Sequence, residues 1–415
     1  LHLWLPESME GPTPISALIH AATMVTAGIY MMCRFAPVYE HSLWVSNVIV
    51  LVGCSGALWL GLVGLVQMDI KRVVAFSTLS QLGYMVAAVG AGAYSAAMFH
   101  LITHAFFKAL LFLAAGSVIH ALHHEQSLAK MGHLQERLPL SGLLFLFAAL
   151  SLSAIPPLSG YFSKDVIIEA VMFQSSKLLY GDYASLCLLL GAVVTPLYIF
   201  RVFWLCFYTD DRTELDDDHV QEAPFSMLFP MIILGFFSVV LGYSMSVRLA
   251  NGLLFHNSIP IATTYATSVT KLVHYELSKP LVMMEHSLGK LPLYCSLMGL
   301  LISWFWYCYL STSQRFRFYA RVEGLAWILS KQYGLSYLLE GIIVPTLLKV
   351  ANGMYRFGDV MLLNTTVDKG IAANVIKGSG AARQVQTGYL QHYLVYIIGG
   401  LLITIVYSFL TRGIV

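Results

Sequence analysis

The sequence has very little charge for its length. Only 11% of its 415 residues are Asp, Glu, Lys or Arg, whereas 58% are hydrophobic, and the mean hydropathy is +0.72. Soluble domains carry about 25% charged residues, so this composition excludes an ordinary soluble domain and predicts a polytopic membrane protein. The net charge is only +2, and no basic run with interleaved aromatic residues occurs. Both features argue against a nucleic-acid partner.

The sequence also lacks the motifs of redox, nucleotide and hydrolytic chemistry. None of its six cysteines forms a C-x-x-C pair, and all lie within apolar stretches, which is typical of small core residues. It contains no G-x-G-x-x-G fingerprint, no P-loop, and no Ser/His/Asp arrangement in a supporting context. We therefore predict that this chain carries no redox centre, no cofactor and no metal site.

Nine apolar runs are long enough to cross a bilayer as helices, since each has at least about 20 residues. The predicted spans are 14–35, 44–66, 70–90, 95–120, 139–171, 184–208, 224–246, 293–311 and 391–411. A half-helix at 1–9 precedes them, with no visible signal peptide, so we expect the C-terminal part of a longer protein. The basic loops 69–72 and 123–137 fall on one side, which the positive-inside rule makes cytoplasmic.

One predicted span carries ionisable groups at its centre. His100, His104 and Lys108 are spaced i, i+4 and i+8 within 95–120, so a helix aligns them on one face. An ionised side chain at the bilayer centre costs at least about 2.5–3.5 kcal/mol on insertion scales, so such residues usually face protein or a water-filled path. Three proton-exchanging groups along one face predict a relay for protons.

Another predicted span is interrupted. Pro156, Pro157 and Gly160 break the apolar run 139–171, because proline removes a backbone donor and clashes with the preceding turn. Unwound backbone at membrane depth is tolerated only where protein or water satisfies it. Interrupted helices that carry a charge mark ion sites in transporters, and Lys164 directly follows this break. We predict that Lys164 is a functional lysine.

The pattern changes again between residues 315 and 390. Basic residues punctuate the apolar ones there, without any run of 20 apolar residues. This pattern predicts an amphipathic helix that lies along a surface. If 346–388 were largely helical, it would reach roughly 60 Å, which exceeds the thickness of the bilayer core. The last span, 391–411, would anchor it.

Four segments form an ordered series of motifs: 10–28, 69–84, 99–108 and 160–165. They resemble the conserved blocks of the antiporter-like membrane subunits of respiratory complex I. Mrp-type sodium/proton antiporters and membrane hydrogenases share these blocks. The stretch 315–390 and the span after it resemble the lateral helix and anchor of the subunit L branch of NADH:quinone oxidoreductase, which favours that branch over the antiporters.

The resemblance implies an all-α polytopic fold, an antiporter-like inverted-repeat helix bundle with a broken helix, a long lateral helix and a transmembrane anchor. The implied divisions are 1–35 (end of the first repeat), 44–208 (second five-helix repeat, with its broken helix at 151–165), 209–311 (additional spans), 315–390 (lateral helix) and 391–411 (anchor). The glutamate and the first-repeat lysine of the family are then expected upstream of residue 1.

The resemblance also assigns roles to individual residues. His20 matches the histidine of the first motif, and Lys164 matches the lysine of the second broken helix, which in the family is the terminal relay before proton exit. Asp165 lies beside Lys164 and is expected to cap it or tune its charge. By this match the proton relay comprises Lys108, Lys164, His104, His100, His20 and Asp165.

Three functions remain open on the sequence alone. The chain is expected to be a proton-translocating subunit of NADH:quinone oxidoreductase, an Mrp-type cation/proton antiporter subunit, or a structural subunit that staples the membrane arm. The first function implies FMN, iron–sulfur clusters and quinone in partner subunits, and neighbouring antiporter-like subunits along the lateral helix. It also implies a bacterial-type inner membrane in preference to the mitochondrial one.

Overall fold

The computed structural model describes residues 3–210, 212, 213, 220–250 and 279–412. It also describes a few residues between the last two ranges, namely 255, 258, 259, 269, 271, 272 and 275. Apart from an isolated bridge between Asp69 and Ser127, regular structure in these ranges is helical. The chain divides into two compact units, Leu1–Leu335 and Ser336–Val415.

The α-helices of the first unit are α1 (Trp4–Glu7), α2 (Thr13–Ala21), α3 (Met24–Arg34), α4 (Ala36–Glu40), α5 (Leu43–Gly64), α6 (Ile70–Gly90), α7 (Tyr94–Ala121), α8 (Pro139–Leu152), α9 (Ser159–Phe173), α10 (Gly181–Phe207), α11 (Phe225–Ala250), α12 (Pro280–Ser287), α13 (Leu291–Trp304) and α14 (Thr312–Ser330). In the described part of the chain, nine helical segments are long and apolar enough to cross a membrane, one of them made of α2 and α3 together. Eight of them correspond to predicted spans, which confirms the prediction of a polytopic all-α fold.

The remaining predicted span, 139–171, forms the two helices α8 and α9, of 14 and 15 residues. The proline pair lies in the connection between them, where the Pro156–Pro157 bond is cis. The start of α9 approaches the end of α8 very closely, because a Cβ on Gly160 would lie 1.8 Å from the Ser151 carbonyl oxygen. Glycine is therefore required at position 160, where the backbone N–H donates to Ser151 Oγ at 3.1 Å.

Helix α6 lies at the centre of the bundle, packed against α5, α7, α9 and α10. Two glycines allow α5 and α6 to meet backbone to backbone. A Cβ on Gly53 would lie 2.3 Å from the Ala87 nitrogen, and one on Gly83 would lie 2.3 Å from the Ala57 nitrogen. Small residues at helix crossings give close packing within membranes, where no hydrophobic force drives helices together. This crossing fixes which face of α6 is turned to α7 and α10.

The second unit is helical along most of its length. Its helical segments are Leu338–Ile343, α15 (Val344–Met354), Tyr355–Ile371, α16 (Ala372–Val385) and α17 (Leu390–Arg412). None of its described residues is buried. By length and composition alone, Gln332–Val385 would also qualify as a membrane-crossing helix, with a mean hydropathy of 1.4. The surface-lying interpretation of 315–390 and the domain bounds stay predictions.

Candidate functional site

The face of α7 that the spacing predicts is inside the protein. His100 is 1% exposed, and His104 and Lys108 are fully buried. The rings of His100 and His104 are tilted by 52° against each other, with their centroids 6.1 Å apart. The three side chains meet groups of α2, α6 and α9. Their burial against protein, and not lipid, is the arrangement that ionisable groups at membrane depth require.

Lys108 is bound by α6. Its Nζ donates a hydrogen bond to the Val74 carbonyl oxygen at 3.0 Å and another to Ser77 Oγ. A buried ammonium group is strongly destabilising unless such partners replace its hydration. The serine hydroxyl can also accept a proton from the lysine while it passes its own proton onward. Lys108 is therefore both held in place and in contact with a group that can conduct a proton.

His100 connects α7 to two other helices. Its Nδ1 lies 2.9 Å from Ser163 Oγ on α9, and its Nε2 lies 3.2 Å from Gln81 Oε1 on α6. Because an amide oxygen can only accept, Nε2 carries the proton in this arrangement and the Nδ1 of a neutral ring accepts from Ser163. Ser163 Oγ also lies 2.7 Å from Thr103 Oγ1. The imidazole is thus one member of a buried chain of proton-exchanging groups.

The other two histidines lie where α2 packs on α7. His104 Nδ1 lies 3.4 Å from the Ala21 carbonyl oxygen, to which it donates. The His20 ring is fully buried, with its centroid 5.2 Å from that of Phe112. Among the described residues, neither nitrogen of His20 forms a hydrogen bond, and neither does Nε2 of His104. His20 is close enough to His104 and Lys108 to interact with both electrostatically.

Lys164 occupies a second buried pocket, between α9, α6 and α10. Its Nζ donates to Thr195 Oγ1 at 3.0 Å and lies 4.7 Å from the centre of the Tyr84 ring, which favours a cation. Thr195 Oγ1 in turn donates to the Gly191 carbonyl oxygen at 2.7 Å. Asp165 is also buried and lines a small cavity together with Lys164. Its role in tuning Lys164 stays a prediction.

The fold gathers the six predicted residues into one buried region. His20, His104 and Lys108 lie on the side of α2, and Lys164 lies on the side of α10. His100 is hydrogen-bonded to Gln81 on α6 and to Ser163, the residue before Lys164 on α9. Over the described residues, no group of three or more His, Cys, Asp or Glu is placed to hold a metal ion.

Sequence analysis missed the polar partners of these residues. They lie on four helices, α6, α7, α9 and α10, and are Ser77, Gln81, Thr103, Ser163 and Thr195. A signal was available for two of them, because Ser77 and Gln81 are polar residues at i and i+4 inside the apolar run 70–90. Thr195 carries no comparable signal, since lone threonines are common in membrane helices.

Comparisons with known proteins show which proteins this chain resembles. A family model described as NADH:quinone oxidoreductase/Mrp antiporter, TM, matches residues 1–194, which include all six predicted relay residues. NADH-quinone oxidoreductase subunit L of Neisseria meningitidis serogroup A is 37% identical over 99% of this chain. Residues 1–194 of this chain therefore resemble the NADH:quinone oxidoreductase/Mrp antiporter family, and the likeness to the Neisseria relative extends over nearly the whole chain. This confirms the family resemblance that the four motifs indicate.

Two further relatives define the extent of the match. NADH-ubiquinone oxidoreductase chain 5 of Aspergillus niger is 46% identical over 62% of this chain and 40% of its own length. The Mrp complex from Dietzia sp. contains a chain with a TM-score of 0.54 and 23% identity, over 84% of this chain and 39% of that one, which shows a shared fold. The chain spans 63% of the length of the Neisseria relative.

Proposed function

We propose that this chain translocates protons as a membrane subunit of an NADH:quinone oxidoreductase, through the buried Lys and His residues of α7 and α9. The observation that carries the proposal is the placement of Lys108 and Lys164. Both are fully buried, and each ammonium group is hydrogen-bonded to a hydroxyl that can itself exchange a proton. A lysine with only a structural role needs hydrogen-bond acceptors, but those acceptors need not be able to pass a proton on.

The energetics of burial support a transport role. Because a buried ammonium group is stable only with its hydrogen bonds, a small rearrangement of those partners decides whether a given lysine holds a proton. Two such lysines, with His100 between them, provide alternative positions for one proton. Coupling to a redox reaction would then act by changing the partners of one lysine, and the proton would move to the other.

The wider setting follows from the relatives and is part of the same proposal. FMN, iron–sulfur clusters and quinone would be bound by partner subunits, which would oxidise NADH and supply the driving force. Other antiporter-like subunits would be neighbours, with the helix of the second unit running along them. The bacterial relatives favour the inner membrane of a bacterium.

The experiment compares Lys108→Met with Lys177→Ala in vesicles that contain the assembled complex. Methionine keeps the volume of the buried side chain, and Lys177 is an exposed lysine that serves as the control. We expect Lys108→Met to reduce NADH-driven proton transport while subunit content and NADH oxidation by an artificial acceptor stay normal. Lys177→Ala should behave like the wild type.

Two other outcomes would contradict the proposal. Unchanged proton transport in Lys108→Met would favour a structural subunit that staples the membrane arm. The likeness to the Mrp complex makes an antiporter the second candidate. Sodium-driven proton exchange by vesicles without any NADH-oxidising subunit, abolished by Lys108→Met, would favour that candidate.

A further inference from the structure

The Lys108 and Lys164 ends of the relay have separate hydrogen-bond partners. Lys108 donates to Ser77 on α6, and Lys164 donates to Thr195 on α10. A proton that moves between the two lysines through these hydroxyl partners crosses from α6 to α10. Ser77 and Thr195 are both within interaction range of one further side chain, that of Tyr198, which lies on the same face of α10 as Thr195.

Tyr198 is a fully buried residue of α10, three residues after Thr195, so both side chains lie on the same face of the helix. Its hydroxyl group is within interaction range of Ser77, Ser80 and Gln81 on α6 and of Thr195 on α10. Among the described residues it forms a hydrogen bond with none of them. The hydroxyl group thus lies between the partners of the two lysines without being committed to one acceptor.

Other buried tyrosines of the bundle are arranged differently. The Tyr84 hydroxyl donates to the Leu188 carbonyl oxygen at 2.7 Å, and the Tyr161 hydroxyl donates to the Met283 carbonyl oxygen at 3.0 Å. A backbone carbonyl accepts a hydrogen bond but cannot pass a proton on. Tyr84 is also within interaction range of Thr195, but its hydroxyl proton is committed to the Leu188 carbonyl. Over the described residues, the Tyr198 hydroxyl has no such commitment, and its neighbours Ser77, Ser80 and Thr195 are hydroxyl groups that can both accept and donate.

Helix α5 provides a fitted surface for the Tyr198 ring. A Cβ on Gly61 would lie 3.7 Å from Tyr198 Cε1, and one on Gly64 would lie 3.8 Å from Tyr198 Cγ. The ring therefore packs next to two glycines that are about one helical turn apart. With the ring fixed, rotation about the C–O bond is the motion left to the hydroxyl group.

We propose that the Tyr198 hydroxyl group is the proton-carrying link between the Lys108–Ser77 pair and the Thr195–Lys164 pair. In one passage, protonated Lys108 gives a proton to Ser77 Oγ, and Ser77 passes its own hydroxyl proton to Tyr198. Tyr198 passes its proton to Thr195, whose proton moves to neutral Lys164. Each hydroxyl loses one proton and gains one, so the net change is one proton from Lys108 to Lys164.

The Thr195 hydroxyl must turn for the last transfer, since it donates to the Gly191 carbonyl oxygen in this structure. Gln81 lies beside the Tyr198 hydroxyl and accepts from His100, so the same link also touches the histidine side of the relay. The inference rests on the proposed function, because the relay must conduct protons for the link to have a role.

The test uses Tyr198→Phe, which removes one oxygen atom and keeps the ring against α5. The control is Ser117→Ala, which removes a buried hydroxyl outside the link, one that lies 2.6 Å from Ser141 Oγ. In vesicles with the assembled complex, we expect the ratio of protons transported per NADH oxidised to fall in Tyr198→Phe to the level of Lys108→Met. Subunit content and NADH oxidation by an artificial acceptor should be normal, and Ser117→Ala should match the wild type.

The outcomes separate the inference from the function on which it rests. If Lys108→Met lowers the ratio and Tyr198→Phe keeps the wild-type value, the link is wrong and the proposed function stands. If Lys108→Met itself keeps the wild-type ratio, the proposed function is wrong. If the phenylalanine variant assembles poorly, 3,5-difluorotyrosine is incorporated at position 198 instead. This more acidic phenol should shift the pH profile of proton transport, and an unchanged profile would overturn the link.

Discussion

A single methyl group added at Gly83 should push α5 and α6 apart. The Cβ of alanine at this position would lie 2.3 Å from the Ala57 nitrogen and 2.7 Å from the Gly53 carbonyl oxygen, whereas ordinary contacts begin at 3.4 Å. The obstructing atoms are backbone, so a side-chain rotation cannot relieve the clash and the helices must separate by about 1 Å. Overpacking of this kind costs about 1–3 kcal/mol.

The separation of α5 and α6 should also displace residues of the relay. The Ser80 hydroxyl donates to the Ala57 carbonyl oxygen at 2.6 Å across the same crossing, and Ser77 and Gln81 lie within two turns of Gly83 on α6. A displacement of about 1 Å is enough to break hydrogen bonds of about 3 Å. We therefore expect Gly83→Ala to lower both the thermal stability of the assembled complex and its proton transport.

The matched control is Gly56→Ala on α5. A Cβ there would have its nearest neighbour at 3.9 Å, so alanine fits. Alanine also favours a helix over glycine by about 1 kcal/mol. Thermal unfolding of the purified complex would compare the two variants with the wild type. If Gly83→Ala were as stable as Gly56→Ala, the backbone-to-backbone crossing described here would be wrong.

Three further predictions concern single side chains. Thr195→Val removes the acceptor of the Lys164 ammonium group. The lost charge-assisted hydrogen bond is worth about 1.5–3 kcal/mol, so proton transport, measured with a pH-sensitive dye, should be at least about tenfold slower. Lys71 donates to two backbone carbonyls in the segment before α2, at 3.2 and 3.3 Å. Lys71→Met should therefore speed amide hydrogen exchange in that segment, and an unchanged exchange rate would refute this. Hydrogen bonds lower the pKa of Glu125 below its usual value of 4.5, and the one from the Ser127 amide has the largest effect. The ionised carboxylate therefore stabilises its loop above pH 4.5. Protection of the Ser127 amide should be lost as the pH falls through the lowered pKa of Glu125, and Glu125→Gln should remove this pH dependence.

The fold could be predicted where composition determines it. Hydropathy located eight membrane-crossing segments, because about 20 apolar residues are what a bilayer requires. The interruption of 139–171 was also predictable, since Pro156 and Pro157 cannot continue a helix. The run 14–35 is divided as well, into α2 and α3, at Ala22 and Thr23. Neither residue is a helix breaker, so this second division could not be predicted from the sequence.

The site could be predicted along one helix but not between helices. The spacing of His100, His104 and Lys108 depends on α7 alone, and it placed them on a single buried face. Their partners on α6 and α10 depend on how the helices are rotated against one another. That rotation is set by contacts such as the one at Gly83, which involve residues far apart in the sequence. Thr195 and Tyr198 could therefore be identified only from the assembled bundle.

The most direct test of a single relay is a double-mutant comparison. Protons transported per NADH oxidised would be measured for Lys108→Met, for Lys164→Met and for the variant that carries both changes. Residues that act in series in one path are strongly non-additive, since blocking either one blocks the path. One relay predicts the same reduced ratio in all three variants. A double variant with clearly lower transport than either single variant would contradict it, because the two lysines would then serve separate paths.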